Sequence, residues 1–153
     1  MTEIEKEEPV SDSTSAPGLE IRTAAEADLP RVASILHEVG LNGELTLPVL
    51  HRMQEISDDL MLVAENEEEV VGVLIASFNG RTVWVSHLAI SRAAHRTGIG
   101  GRLLRRLETR ARARGALRVM IDAWEDAVGF YSRKHYHDSG YTLLFKHASA
   151  IDD

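Results

Sequence analysis

The apolar positions of this 153-residue chain change period several times, and each change marks a new element. Leu29, Val32, Ala33, Leu36 and Val39 recur at the spacing of one helix face, and Gly40 stops the run. Two starts fit this helix. Thr23 and Glu26 match a capping box, whereas Pro30, which lacks an amide proton and suits a first turn, favours Asp28 as the cap. LEIRT, beginning at Leu19, predicts a short strand before it, and Leu47, Leu50, Met53 and Ile56 predict a second helix after it. Denser apolar runs follow at 60–65 (LMLVAE), 69–78 (EVVGVLIASF) and 82–90 (TVWVSHLAI), separated by turn residues at 66–68 and at Asn79-Gly80. Three strands joined this tightly form an antiparallel meander.

From Gly98 the period returns to helical, with Ile99, Leu103, Leu104, Leu107 and Ala111 in one stripe and Gly115 as its close. Residues 117–123 (LRVMIDA) then predict a buried strand, 126–135 (DAVGFYSRKH) a short helix, 141–147 (YTLLFKH) a last strand, and 148–153 a loose end. The strand from Thr82, the helix from Gly98 and the strand from Leu117 make a βαβ unit, whose two strands should lie parallel. The expected fold is therefore α/β: a mixed, mostly antiparallel sheet with one parallel pair, flanked by helices. Residues 1–18 (MTEIEKEEPVSDSTSAPG) offer almost nothing to bury and read as a disordered acidic tail, leaving one domain at 19–147.

Charge and composition narrow the function. A net charge of −7 opposes general affinity for nucleic acid or anionic membranes. The acidic start is unlike a secretory signal, and no apolar stretch approaches bilayer length, so a cytoplasmic protein is expected. The absence of cysteine excludes a thiol nucleophile, a disulfide framework and a cysteine zinc site. His135 and His137 form a His-x-His pair with no evident third ligand, so no metal is expected.

AHRTGIGGRLL, from Ala94, sets three glycines between strand and helix. Glycines there let successive backbone N–H groups converge on one point at the positive end of the helix, which suits a phosphate or diphosphate. A tight turn with close packing is the competing explanation. No Gly-Lys-Ser/Thr follows, and the preceding meander is not the first βαβ of a dinucleotide fold. SHLAISRAAHRTGIGGRLL resembles the acyl-CoA motif of the GNAT superfamily of N-acetyltransferases, in which a strand ending Leu-Ala-Val leads into Arg/Gln-x-x-Gly-x-Gly/Ala and a helix. Leu88, Ala89 and Ile90 match the strand end, Gly98 and Gly100 the glycines, and His95 stands where the family prefers Arg or Gln. LEIRTAAEADLPRVASIL and AVGFYSRKHY extend the likeness over 19–147, and the WVSHLAI strand is nearest in flavour to YpeA-like and RimI-like members.

The resemblance implies acetyl transfer from acetyl-CoA directly to an amine. It implies coenzyme contacts at Leu88, Ala89, Ile90, His95, Arg96, Thr97, Gly98, Ile99, Gly100, Gly101 and Arg102, and Tyr131 as the acid that protonates the departing thiolate. A phenol has an ordinary pKa suited to that role; an aromatic core residue beside Phe130 is the alternative. Trp124 stands where many relatives carry asparagine. Strand alternation sets His87 on one face with Val85 and Ala89, and Ser86 on the other with Trp84 and Leu88. His87 is a candidate base, against a histidine satisfied within the sheet; Asp122 and Glu125 are further candidates, against solvated carboxylates. Arg102, Arg105, Arg106, Arg110, Arg112 and Arg114 lie mostly off the apolar stripe and read as a solvated face paired with acids. A nucleic-acid module using that face, and a non-catalytic acyl-CoA sensor, are the rival functions. Specificity for the amine is expected in 41–55 and around the last two strands, and an exposed last strand could pair two copies into a homodimer.

Overall fold

The computed structural model describes residues 18–41 and 43–152; the expected tail, Gly18 apart, lies outside them. Five strands, β1 (Leu19–Thr23), β2 (Met61–Asn66), β3 (Glu69–Phe78), β4 (Thr82–Ile90) and β5 (Arg118–Ile121), form one sheet in chain order. Neighbours are antiparallel up to β4, and β4 runs parallel to β5. Helices α1 (Leu29–Glu38) and α2 (Leu47–Ser57) cover one face, while α3 (Ile99–Ala113) and α4 (Val128–Arg133) cover the other. Burial on both faces explains why β3 is an almost unbroken apolar run. Leu74 and Ala76 pack with α3, whereas Val73 and Ile75 pack with α1 and α2. Among the described residues no helix is long and apolar enough to cross a membrane.

Polar side chains fix the corners. Arg22 grips Asp28 through two bonds of 2.6 and 3.0 Å, which together hold the Asp28 carboxyl below its usual range. Asp28 immediately precedes α1, as expected, yet its carboxylate reaches back to the Ala25 amide at 2.7 Å and caps a short 3-10 turn at Glu26–Asp28. Between β3 and β4, Asn79 Oδ1 accepts from the amides of Arg81 and Thr82 at 3.0 and 2.9 Å.

The arginines of α3 act internally to a greater degree than a solvated face would. Arg106 donates to the Ile21 carbonyl at 3.0 Å, and Arg110 to the Asp59 carbonyl and to Thr23 Oγ1, both at 2.6 Å. Arg114 pairs with Asp59 at 3.3 Å and lies over the Phe78 ring. These bonds tie the outer side of α3 to β1 and to the start of β2. Its inner side meets β3 where there is no side chain: a Cβ on Gly72 would stand 2.9 Å from Ile90 Cδ1, 3.2 Å from Leu103 Cδ1 and 3.3 Å from Ile99 Cγ2.

One predicted element is absent. Residues 141–147 form no strand: Tyr141, Leu143, Leu144 and Phe145 are 57–85 % exposed and the backbone joins no ladder. Alternation supplies strand propensity, but a strand needs an edge beside it, and after Tyr136 the chain turns at Asp138–Gly140 without coming alongside β5. β5 is shorter than 117–123, and α4 shorter than 126–135 because its first turn is a 3-10 turn at Glu125–Ala127.

Replacing Gly72 by valine should overpack the α3 contact and lower stability by about 1–3 kcal/mol. A smaller loss is expected for Gly72→Ala, whose methyl meets only side-chain ends. Equal melting temperatures for the three proteins would show that the close approach is not there.

Candidate active site

The site begins with a surplus residue in β4. Val85 stands opposite Ala76 and His87 opposite Ile75, so Ser86 is an extra residue in the register of β4 against β3, a β-bulge. The bulge reverses the alternation. Val85 packs in the α3–α4 cluster, whereas Ile75 and Ala89 pack in the α1–α2 cluster, so His87 shares a face with Ala89 and not with Val85. The strict alternation expected from the sequence fails here because it counts no extra residue. The pairing of β4 with β5 also stops at Val85 and Ile121. Beyond that point the two strands part, and His87 to Ile90 pair with β3 and not with β5.

At the bulge, Ser86 Oγ donates to the Ile75 carbonyl at 3.2 Å and stands 3.0 Å from His87 Nδ1. Burial, opposed by the Asp122 carboxylate, pulls the His87 imidazole down to about 4. The ring is therefore neutral at ordinary pH.

The glycine loop follows the end of β4, after the turn Arg92–Ala94. Gly98 has φ 78°, in the left-handed region that glycine adopts without strain, and it caps α3. The first bond within the helix runs from the Arg102 amide to the Gly98 carbonyl, so the first-turn amides of Ile99, Gly100 and Gly101 face out of the helix end. His95 Nε2 lies 2.9 Å from the Ile90 carbonyl, to which it must donate, and Thr97 Oγ1 donates to the Ala94 carbonyl. Both side chains shape the loop. The buried Nη1 of Arg102 meets no acceptor among the described residues, an arrangement costly without an anion.

A cleft of about 1220 Å³ runs along β5, the last strand of the sheet, lined by Trp84, Met120, Asp122, Tyr131, Tyr136 and Leu143 among others. Tyr131 is buried and meets Phe130 and Tyr136 edge to face, with centroids 5.1 and 5.8 Å away. Tyr136 donates to Glu108 at 2.8 Å. Burial, and then the Glu108 charge, hold its phenol above the usual range. Glu125 opens the 3-10 turn before α4, and Trp124 packs against the α1–α2 cluster.

Thus the two residues expected to be catalytic lie on opposite faces of the sheet, His87 toward α1 and α2 and Tyr131 toward α3 and α4, beside the gap between β4 and β5. Sequence reasoning missed Ser86 and Glu38. Glu38 accepts from the Arg92 amide at 2.7 Å and so holds the turn Arg92–Ala94 that leads into the glycine loop. A signal existed: a carboxylate in the last turn of a helix opposes the macrodipole and needs another reason to be there.

The sequence model of the acetyltransferase (GNAT) domain matches residues 47–152. Among solved structures, the fold is similar to a transcriptional regulator from Bacillus halodurans C-125 (TM-score 0.71, 24 % identity, covering 84 % of this chain and 99 % of that one). It is similar to Ard1 from Thermoplasma volcanium (TM-score 0.71, 18 % identity, 84 % and 85 %). A third is an aminoglycoside acetyltransferase, meta-AAC0020, from an uncultured soil metagenomic sample (TM-score 0.68, 20 % identity, 86 % and 96 %).

Because the folded His87 binds its proton less readily than the unfolded one, whose pKa is about 6.5, the folded state loses stability as pH falls from that value through about 4. Over this window the melting temperature of the wild type should fall by several degrees more than that of His87→Gln. Parallel curves would remove the buried neutral imidazole.

Proposed function

Since this chain belongs to the GNAT acetyltransferase family and is an acyltransferase, we propose that it moves an acetyl group from acetyl-CoA directly to an amine held in the same complex. One observation supports this reading: β4 leaves its pairing with β5 after Val85 and then leads, through the turn Arg92–Ala94, into a glycine-capped helix end. The coenzyme fits the residues present. Its diphosphate would lie against the amides of Gly98, Ile99, Gly100 and Gly101 and supply the acceptor that Arg102 Nη1 lacks. Its arm would follow Leu88, Ala89 and Ile90, while His95, Arg96 and Thr97 form the approach. When bound, it supplies an activated acyl group and a thiolate leaving group.

The chain's own residues do the rest. Tyr131, on the coenzyme face, donates a proton to the departing sulfur. His87, on the other face, accepts the proton of the amine, directly or through one water. The amine approaches from the face toward which His87 turns, and Asp122 lines the cleft beside β5. The chain's negative charge favours a cationic acceptor, whether a small molecule or an amine on a protein. Direct transfer also suits a protein without cysteine, which can form no thiol acyl-enzyme.

Calorimetry should detect CoA binding to the wild type and equally to Tyr131→Phe. With an amine identified by screening for thiol release, Tyr131→Phe should lower kcat by about 10²-fold. Unaltered turnover would end the acid role, and an absence of CoA binding would end the whole proposal.

A further inference from the structure

We infer that Ser86 is a positioning residue for the transfer reaction: its hydroxyl holds His87 as the Nδ1–H tautomer, so that Nε2 is the nitrogen that accepts the proton of the amine. The inference rests on the acetyl-transfer reading above. Its geometry does not. A carbonyl only accepts, so the one hydrogen of the Ser86 hydroxyl is committed to the Ile75 carbonyl at 3.2 Å. The 3.0 Å contact between Ser86 Oγ and His87 Nδ1 then needs its hydrogen from the ring. Consecutive strand residues ordinarily point to opposite faces and do not meet. Ser86 reaches the neighbouring ring because it is the extra residue where the register of β4 shifts against β3.

The arrangement orients a base much as a carboxylate orients a catalytic histidine, but with a neutral partner. His87 Nδ1–H donates to Ser86, and Ser86 donates to Ile75. A proton arriving at Nε2 strengthens both bonds, because the donor becomes charged. Burial keeps the resting ring neutral, and the Asp122 carboxylate is the charged side chain whose field favours the protonated form. In the reaction the amine gives one proton to Nε2 and its electron pair forms the N–C bond. The C–S bond breaks with its pair on sulfur, and sulfur takes a proton from Tyr131. Solvent carries the proton from His87 back to Tyr131, so that one hydrogen passes in net from nitrogen to sulfur.

The molecule carries its own reference. His95 donates from Nε2 to the Ile90 carbonyl, so it holds the opposite tautomer. In a long-range proton–nitrogen spectrum of the ¹⁵N-labelled full chain at pH 7, assigned with His87→Gln and His95→Gln, His87 should show a protonated Nδ1 and a bare Nε2. His95 should show the reverse. Ser86→Ala should shift His87 toward Nε2–H and lower kcat about tenfold, below the full range for losing a base, with KM for acetyl-CoA unchanged. Ser86→Thr should restore both. If wild-type His87 is protonated at Nε2, or if Ser86→Ala changes neither the tautomer nor kcat while the wild type acetylates its amine, the inference falls alone. If the spectrum is as expected but no amine in a broad panel releases thiol, the transfer reading falls and takes the inference with it.

Discussion

A single unmatched residue in the fourth strand organises the site. Ser86 adds one position to β4 that β3 does not match, and three consequences follow from the same displacement. The side chains after it exchange faces, which brings His87 round to the side of α1 and α2. Two consecutive side chains come within hydrogen-bonding distance, which the regular pleat forbids. The ladder to β5 ends one residue earlier, so the second half of β4 does not pair with β5. A bulge bends its strand and increases the local twist, so the parting of β4 from β5 and the turning of His87 are aspects of one distortion. Without it the sheet would be a continuous wall.

The remainder of the fold fastens α3 to the sheet. Gly72 lets the start of α3 settle directly on β3, and the arginines on the outer side of α3 fasten it to the backbone of β1 and of the segment before β2. Because those bonds end largely on carbonyls, they survive changes in the ionisation of neighbouring acids. The glycine loop inherits its position from a helix that cannot readily shift. Gly98 completes the turn by taking a left-handed conformation that costs other residues about 1–2 kcal/mol.

Elements buried on two faces, or with strong periodicity, were legible in the sequence. The three central strands, α1 and α3 follow from apolar spacing because their environment is symmetric enough for period alone to describe it. The glycine loop was legible through its residue types and its resemblance to a family motif. Residues 141–147 show the limit: YTLLFKH alternates as a strand does, but no edge lies beside it, and pairing is a property of two segments, of which the sequence pattern describes one. The bulge was invisible for a related reason, since an extra residue is defined against a partner strand. The faces of Val85 and His87 were therefore misjudged although both lay on the correct strand. Glu38 left only an electrostatic oddity, a negative charge at the wrong end of a helix.

That misplaced charge has a thermodynamic meaning. Glu38 belongs to α1, on one side of the sheet, and its carboxylate holds the amide of Arg92, at the entrance to the loop on the other. A helix displaced on the first side must stretch this bond or carry the turn with it. In the proposed reaction, with the amine on the first side and the coenzyme on the second, this bond would link their occupancies. Whatever factor one guest then imposed on the affinity of the second, the second would return to the first in equal measure, with a single carboxylate carrying that reciprocity across the sheet.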